Sequence, residues 1–487
     1  MLSNYPPEYR LFYFTCGKSF YTVLLRIFRI NDPYRLIGIL VILILVSLPL
    51  FIDPVNMMLD ELKLFVLGES LNHGNHLYAE VSTATPPLLA WISGWLEMSF
   101  GRGLTALRLI SLVFIFFQLS FFTILLINSR AFNENTYLPG LLFGILALFS
   151  FDMLTFSGEL VASTVLLLAL NNLLKEIEFR IQRDETIFNL GFYIGLASLL
   201  VFSYAVYLPG VLIILAIFTR LTIRKSLLVT FGFIIPHSLV MLLFFMKGEY
   251  ASLVEDYYLA NFLGKNDTGM GITSVWVLCA TPGLFLILSL FTLNRAARLT
   301  KYQSQISQIM LLWILLAATE IVISGNIKPH QLITFSPPFT YFITHYILLI
   351  RRKTLAELAI WGYVVIIISI MYLTRYDRLK RVNYTALYPA KTGYSQIINK
   401  RVLILGTDWG LLKNNKLAGG FYDWSLSKNT FTELDYFGNV VLIDRAFNED
   451  RPEVIIDEEN KMKDVFKRIP TLQFYYTRKG NIYYRSH

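Results

Sequence analysis

Three carboxylates follow the first long apolar run of the 487-residue sequence, at Asp53, Asp60 and Glu61. If residues 54–67 are helical, as their apolar spacing predicts, Asp53 and Asp60 share a face and Glu61 points about 100° away. A carboxylate at a membrane surface carries a desolvation cost, and one use for such a group is to accept a proton as a general base. Alternatively, these residues cap the start of a helix or lie in a solvated loop.

Cationic side chains occur in two other segments that join apolar runs. Lys328 and His330 lie in the segment SGNIKPHQLITFSPPF, and Arg102 follows the three carboxylates on the chain. Lys, Arg and His stabilise the charge of a phosphate through charge-assisted hydrogen bonds. The alternative for Lys328 is that its long side chain merely extends to the lipid headgroups.

Further polar groups lie near or within apolar runs. Glu159 begins one run and could line a cavity with the carboxylates, although a carboxylate at a helix start is also favoured by the helix dipole. Glu320 lies inside a run, where it is either functional or kept neutral by burial. His73 and His76 lack carboxylates at matching spacing. No metal site is therefore predicted and no cofactor is firmly implied, although the acidic residues are compatible with a divalent cation.

The composition excludes most soluble enzymes. Hydrophobic residues make up 55% of the chain and charged residues only 16%, against about 25% charged in ordinary globular proteins. The net charge of +9 is unevenly distributed, because residues 375–487 alone hold 19 Lys and Arg and 13 Asp and Glu. No basic run in this tail is interleaved with stacking aromatic residues, so we expect no nucleic-acid partner.

The apolar runs predict a polytopic α-helical membrane protein of about eleven transmembrane helices. The predicted spans are 36–52, 104–128, 137–151, 159–174, 187–203, 206–219, 226–246, 274–293, 307–324, 333–350 and 355–373. If the N-terminal segment 1–35 is cytoplasmic, Lys and Arg concentrate in the short inside loops, as the positive-inside rule requires. The transmembrane domain then covers 36–374, with a large first outer loop at 53–103, and the tail lies on the outer side.

The tail, residues 375–487, reads as a small α/β domain. Strands are predicted at 401–405, 439–443 and 453–456, with a hairpin in 474–485 and a short helix at 459–468. The glycine-rich pieces of the tail do not form G-x-G-x-x-G, so dinucleotide binding is not predicted.

The first outer loop resembles that of the GT-C class of polyprenyl-linked-sugar glycosyltransferases, in the branch of aminoarabinose transferases and protein mannosyltransferases. The ordered set that carries the resemblance is Asp60–Glu61, Gly74, Leu77–Tyr78, Pro86–Pro87–Leu88, Trp91, Phe100–Gly101 and Ala106–Leu107–Arg108. Leu62 and Lys63 depart from the pattern, since relatives often carry an aromatic residue or His there. The resemblance is strong over 36–128 and weaker to about residue 350.

The resemblance implies a glycosyltransferase that uses a polyprenyl-phosphate-linked sugar. Asp60 corresponds to the catalytic base, while Glu61 and Asp53 would orient it or hold a cation. Lys328, His330 and Arg102 are the expected ligands of the donor phosphate, and Glu159 and Tyr78 the expected lining of the cavity. The acceptor would be a lipid, a glycan or a protein.

The expected location is a bacterial inner membrane, with membrane lipids around the transmembrane domain, the N-terminus cytoplasmic and the tail periplasmic. Two alternatives stay open. The chain could be a GT-C-like scaffold that has lost catalysis and binds protein partners in an envelope complex, which suits the divergent Leu62 and Lys63. A transporter would suit Glu320, but no internal repeat is visible.

Overall fold

A computed structural model of the protein describes residues 23–178, 183–264, 269–296, 299–325, 327–390 and 392–486. Most of the predicted cytoplasmic segment 1–35, namely residues 1–22, therefore lies outside the described residues. The described chain consists of a large helical part followed by a small mixed domain.

The helical part begins at Val23 and ends at Arg375. Its helices are α1 (Val23–Phe28), α2 (Arg35–Ile52), α3 (Leu59–Asn72), α4 (Pro87–Phe100), α5 (Leu104–Asn128), α6 (Leu138–Leu146), α7 (Gly158–Glu178), α8 (Asp184–Ser198), α9 (Tyr207–Phe218), α10 (Ile223–Met246), α11 (Tyr250–Ser252), α12 (Ala260–Leu263), α13 (Ile272–Ala296), α14 (Lys301–Ser324), α15 (Ser336–Leu349) and α16 (Lys353–Arg375). A π-helical stretch, Leu253–Leu259, joins α11 to α12, and 3₁₀ turns at Phe151–Leu154, Phe202–Val206 and Pro329–Phe335 precede α7, α9 and α15.

Seven of the described helices are long and apolar enough to cross a membrane: α2, α5, α7, α10, α13, α14 and α16. The other four predicted spans, 137–151, 187–203, 206–219 and 333–350, also contain helices, but these have only 9 to 15 residues. An α-helix rises about 1.5 Å per residue, so helices this short do not by themselves span a hydrocarbon core of about 30 Å. The chain is thus a multi-pass membrane protein, and the number eleven stays a prediction.

Small residues allow close packing between α8 and α10. A Cβ atom placed on Gly191 would lie 1.9 Å from the carbonyl oxygen of Val229, and one on Gly232 would lie 2.2 Å from that of Phe188. Glycine on both helices therefore lets their backbones touch, as is common between helices in a membrane.

The first outer loop is folded rather than extended. Its two helices, α3 and α4, pack against each other so closely that a Cβ on Gly68 would meet the carbonyl oxygen of Ser93 at 2.5 Å. Leu62, Phe65, Val66 and Leu67 on α3 are buried. This packing fixes the first turn of α3, which carries Asp60 and Glu61.

The C-terminal domain contains a five-stranded sheet in the order β2-β1-β3-β5-β4. Its strands are β1 (Arg401–Leu405), β2 (Lys416–Leu417), β3 (Val454–Asp457), β4 (Tyr476–Lys479) and β5 (Ile482–Arg485). β1 is parallel to β2 and β3, whereas β5 is antiparallel to β3 and β4. The domain also has helices α17 (Trp424–Thr432), α18 (Phe437–Glu449), α19 (Met462–Arg468) and α20 (Pro470–Gln473), and 3₁₀ turns at Thr385–Leu387 and Trp409–Lys413.

One strand prediction in this domain is wrong. Residues 439–443 lie in α18, where Ile443 and Phe447 are buried four residues apart while Val441 is 46% exposed. The burial follows the helical period, so packing against the sheet overrides the strand preference of the run NVVLI. The predicted strands at 401–405 and 453–456, the hairpin and the helix near 459–468 are present.

The C-terminal domain packs on the first outer loop. The backbone of Ser82 donates to the carbonyl of Gly420 at 3.2 Å and accepts from the backbone N–H of Asp423 at 3.0 Å. Gly420 has a φ of +72°, and a Cβ there would lie 2.3 Å from the carbonyl oxygen of Glu80. Both features require glycine at this position of the interface.

Candidate active site

Asp60 and Lys328 form an ion pair between the first outer loop and the turn before α15. The Lys328 ammonium donates to both carboxylate oxygens of Asp60, at 2.8 and 2.7 Å. Asp60 lies in the first turn of α3, where the helix dipole favours a negative charge. Lys328 directly precedes the 3₁₀ turn Pro329–Phe335, which is set by the Pro at its first position.

His330 is held by Asp152 from the opposite side. The backbone N–H of His330 donates to Asp152 Oδ2 at 3.2 Å, and its ring Nδ1 lies 3.3 Å from the same oxygen. The other carboxylate oxygen of Asp152 accepts from Ser150, whose hydroxyl lies 2.5 Å from that of Tyr384. Because the Nδ1 side of the His330 ring faces the Asp152 carboxylate, the other ring nitrogen, Nε2, faces the interior of the site.

The Nε2 atom of His330 lies between two further carboxylates. It is 3.6 Å from Asp60 Oδ2 and 3.8 Å from Glu159 Oε2, where Glu159 stands at the N-terminal turn of α7. Nε2 is buried and has no hydrogen-bond partner among the described residues. It is therefore available to a ligand.

The cluster opens to solvent at Asp60. Its side chain is 29% exposed, against 15% for Lys328 and Glu159 and 6% for His330. The half-open arrangement gives a small molecule access to the carboxylate while the cations behind it stay shielded from water. Shielding from water strengthens their electrostatic effect on a bound anion.

The electrostatics favour the charged forms of these groups. Burial raises the pKa of Asp60, but the charges of Lys328 and His330 outweigh it and hold that pKa well below its ordinary value. Burial lowers the pKa of Lys328, yet Asp60 and Glu159 raise it above its ordinary value overall. The pKa of His330 is lowered by burial and raised more by Asp152, Glu159 and Asp60, so protonation is favoured.

Glu61 points away from Asp60 and is fully buried. Its carboxylate accepts from the backbone N–H of Met58 at 2.9 Å and so caps the start of α3. Arg108, which donates to the carbonyl of Val55 at 2.6 Å, supplies a compensating charge. Burial nevertheless raises the pKa of Glu61. These contacts are those of a helix cap, the alternative that the sequence leaves open.

Asp53 and Arg102 lie apart from the cluster. Asp53 is exposed and pairs with Arg375 at 3.3 Å. Arg102 forms a two-bond ion pair with Glu69, at 3.0 and 2.7 Å, and donates to carbonyls of the C-terminal domain. None of the described contacts of either residue is with Asp60, Lys328 or His330, so their predicted catalytic and phosphate-binding roles stay predictions.

Tyr78, a predicted lining residue, is buried. Its hydroxyl donates to the carbonyl of Thr85 at 2.6 Å, and its ring packs on Phe244 and Tyr257. It has a φ of +66°, which is uncommon for a residue other than glycine. Whether Tyr78 lines the cavity stays a prediction, and its contacts are those of packing.

The described residues contain no group of three or more His, Cys, Asp or Glu side chains placed to share a metal ion.

Among solved structures, this chain is similar to ArnT from Cupriavidus metallidurans bound to undecaprenyl phosphate. The match has a TM-score of 0.52 at 10% sequence identity and covers 89% of this chain and 88% of the other. The chain has the GT-C fold of ArnT. Neither a family model nor a curated protein matches the sequence. The expected fold class, a polytopic helical membrane protein with a small α/β domain, is therefore confirmed.

The ArnT-like fold brings to the site several residues that the sequence argument did not select. Asp152 holds His330, and its neighbour Ser150 continues the network. The position of Asp152 at the outer end of a predicted span was the available signal for it. Tyr422 reaches the first outer loop from the C-terminal domain, a contact that no local pattern indicates.

Proposed function

We propose that the protein is an integral-membrane glycosyltransferase that moves a sugar from a polyprenyl-phosphate donor to an acceptor at the outer, periplasmic face. The observation that carries the proposal is the Asp60–Lys328 pair with His330 beside it, at the outer ends of helices in an ArnT-like fold. The solved ArnT binds undecaprenyl phosphate, and a lipid phosphate suits the two cations here.

Binding of the donor phosphate can release Asp60 from its ion pair with Lys328, which frees the carboxylate to act as a base. An incoming phosphate competes with Asp60 for Lys328 and meets the free Nε2 of His330. Asp60 then loses part of the positive charge that lowers its pKa, so it becomes a stronger base when the donor is bound.

The transfer itself follows from these positions. A hydroxyl or amine of the acceptor attacks the anomeric carbon, and its proton passes to Asp60. The bond between that carbon and the phosphate oxygen breaks, and the oxygen keeps the electron pair. Lys328 and His330 stabilise the charge on the departing polyprenyl phosphate.

The orientation belongs to the same proposal. The Lys and Arg bias of the loops supports a cytoplasmic N-terminus and an outward-facing C-terminal domain, which in a bacterial inner membrane lies in the periplasm. The cluster then faces the periplasm, together with the first outer loop.

Turnover of defined donors tests the proposal. The full-length protein in nanodiscs is given a panel of undecaprenyl-phosphate-linked hexoses, aminohexoses and pentoses together with acceptors of each expected class (lipid, glycan and protein), and release of undecaprenyl phosphate is measured. We expect one donor class to turn over in the wild type and Asp60→Asn to reduce that rate by at least about 10²-fold. Asp464→Asn is the matched control, since Asp464 is an exposed carboxylate of the C-terminal domain that pairs with Lys467. Full activity of Asp60→Asn contradicts the assigned base. No turnover and no lipid binding by the wild type contradicts the transferase itself and favours the scaffold.

A further inference from the structure

A second lysine lies beside the ion pair, on the same face of α3. Lys63 follows Asp60 by three residues, which places both side chains on one side of the helix. Among the described residues, no carboxylate forms an ion pair with Lys63, although Asp60, Lys328 and Asp423 are near enough to act on its charge. Burial lowers the pKa of Lys63.

The C-terminal domain holds Lys63 by both its side chain and its backbone. The ammonium lies 5.1 Å from the centre of the Trp409 ring, within the range of a cation–π contact. The Tyr422 hydroxyl donates to the carbonyl of Lys63 at 2.9 Å, and the Tyr422 ring meets that of Trp409 edge-on at 5.0 Å.

The turn that carries Trp409 is itself fixed to the first outer loop. Arg102 donates to the carbonyls of Leu412 and Lys413 in or beside this turn, at 2.8 and 2.9 Å, while it pairs with Glu69 on α3. The ring of Trp409 is therefore held in register with the helix that bears Asp60 and Lys63.

A partly buried ammonium group that lacks a carboxylate partner costs folding free energy unless a bound anion balances its charge. A π face compensates only part of that cost, since a cation–π contact is weaker than a charge-assisted hydrogen bond to an anion. The anion expected at this place is the phosphate that the proposed function brings to Lys328.

We propose that Lys63 and Lys328 together bind the phosphate of the polyprenyl donor, and that Trp409 of the C-terminal domain positions Lys63. The inference rests on the proposed function and extends it, because it makes the C-terminal domain part of the donor site. Lys63 touches the ligand, whereas Trp409 acts through Lys63.

Lipid binding to the full-length protein in nanodiscs tests the inference. The probes are undecaprenyl phosphate, undecaprenol and inorganic phosphate, and the variants are Lys63→Ala, Trp409→Ala, their double variant and Lys328→Ala. We expect Lys63→Ala to weaken undecaprenyl phosphate binding about tenfold or more, the usual size of a lost charge-assisted bond, and to leave undecaprenol binding unchanged. Trp409→Ala should weaken it less, and the double variant should match Lys63→Ala.

Surface variants control for general damage. Lys467→Ala removes an exposed lysine of the C-terminal domain, and Trp276→Ala removes an exposed tryptophan of α13. Both should bind undecaprenyl phosphate like the wild type with unchanged thermal midpoints, and every variant should elute as a single species.

The outcomes separate the two proposals. Loss in Lys328→Ala with normal binding in Lys63→Ala overturns the inference and leaves the proposed function standing. If Lys63→Ala weakens the binding of inorganic phosphate but not that of undecaprenyl phosphate, the lipid assignment of Lys63 is overturned. Additive effects of Lys63→Ala and Trp409→Ala overturn the positioning role of Trp409. Absence of undecaprenyl phosphate binding in the wild type overturns the proposed function.

Discussion

The Lys328 ammonium lies 2.8 and 2.7 Å from the two carboxylate oxygens of Asp60, across 268 residues of sequence. The pair joins the first outer loop to the turn before α15, and the N-terminus of α7 adds Glu159. In the proposed reaction this ion pair exists before the donor binds. Lys328 then neutralises the Asp60 carboxylate until a phosphate takes the place of Asp60 as the partner of Lys328.

Removal of Lys328 should change the pH dependence of transfer. Lys328 contributes to the lowered pKa of Asp60, whereas burial raises it. In Lys328→Ala the burial effect remains, so the pKa of Asp60 rises and the carboxylate becomes protonated at higher pH. We expect the low-pH loss of the remaining activity to move to higher pH, as measured from rate–pH profiles. An unchanged acid limb in Lys328→Ala would show that Asp60 is not the group that titrates.

Substitution of Asp152 should weaken phosphate binding through His330. Asp152 raises the pKa of His330 against the effect of burial, so Asp152→Asn lowers it. His330 then loses its proton at lower pH, and affinity for undecaprenyl phosphate should decline at lower pH than in the wild type. Titration of lipid binding against pH measures this shift. Asp464→Asn, an exposed change in the C-terminal domain, is the control. Identical pH profiles for Asp152→Asn and the wild type would exclude His330 from the phosphate site.

Glu61 should affect stability more than chemistry. Burial raises its pKa, so its contribution to stability is present below the ordinary pKa of Glu and is lost as pH rises through the folded-state value. Glu61→Gln removes this titration and should gain stability relative to the wild type as pH rises. Glu61→Ala leaves the backbone N–H of Met58 without its cap and should cost about 1–2 kcal/mol. Thermal midpoints over a pH series measure both effects. A stability difference between Glu61→Gln and the wild type that is independent of pH would contradict the cap with a raised pKa.

Chelation of divalent cations should leave transfer unchanged. The positive groups at the described site are Lys328 and His330, and these two side chains can balance the charge of a departing phosphate. We expect equal rates of donor turnover before and after dialysis against EDTA. A rate that falls on dialysis and returns with Mg²⁺ or Mn²⁺ would place a cation at the acidic residues.

The sequence predicts the members of this site better than their contacts. Asp60 and Glu159 are selected as carboxylates beside apolar runs, and Lys328 and His330 as cations that could bind a phosphate. The structure brings all four together. Asp53 and Arg102 satisfy the same criterion but pair with Arg375 and Glu69. Charge and spacing cannot distinguish the two outcomes, because these pairings depend on how distant helices pack.

The fold shows the same division between local and tertiary information. Long apolar runs identify the helices of the membrane part, short apolar runs identify β1 and β3 of the C-terminal domain, and the predicted hairpin is also present. The run 439–443 is misassigned because its β-branched residues favour a strand, whereas the sheet that buries Ile443 and Phe447 selects a helix. Likewise, no local sequence pattern predicts the contact of Trp409 and Tyr422 with Lys63.

A structure of the protein with undecaprenyl phosphate, determined by cryo-electron microscopy in nanodiscs, tests the central claim most directly. We predict that the phosphate lies within about 3 Å of Lys328 Nζ and His330 Nε2, and that the Asp60 carboxylate has separated from Lys328 and faces the open side of the site. A phosphate bound elsewhere, with the Asp60–Lys328 pair intact, would contradict the account.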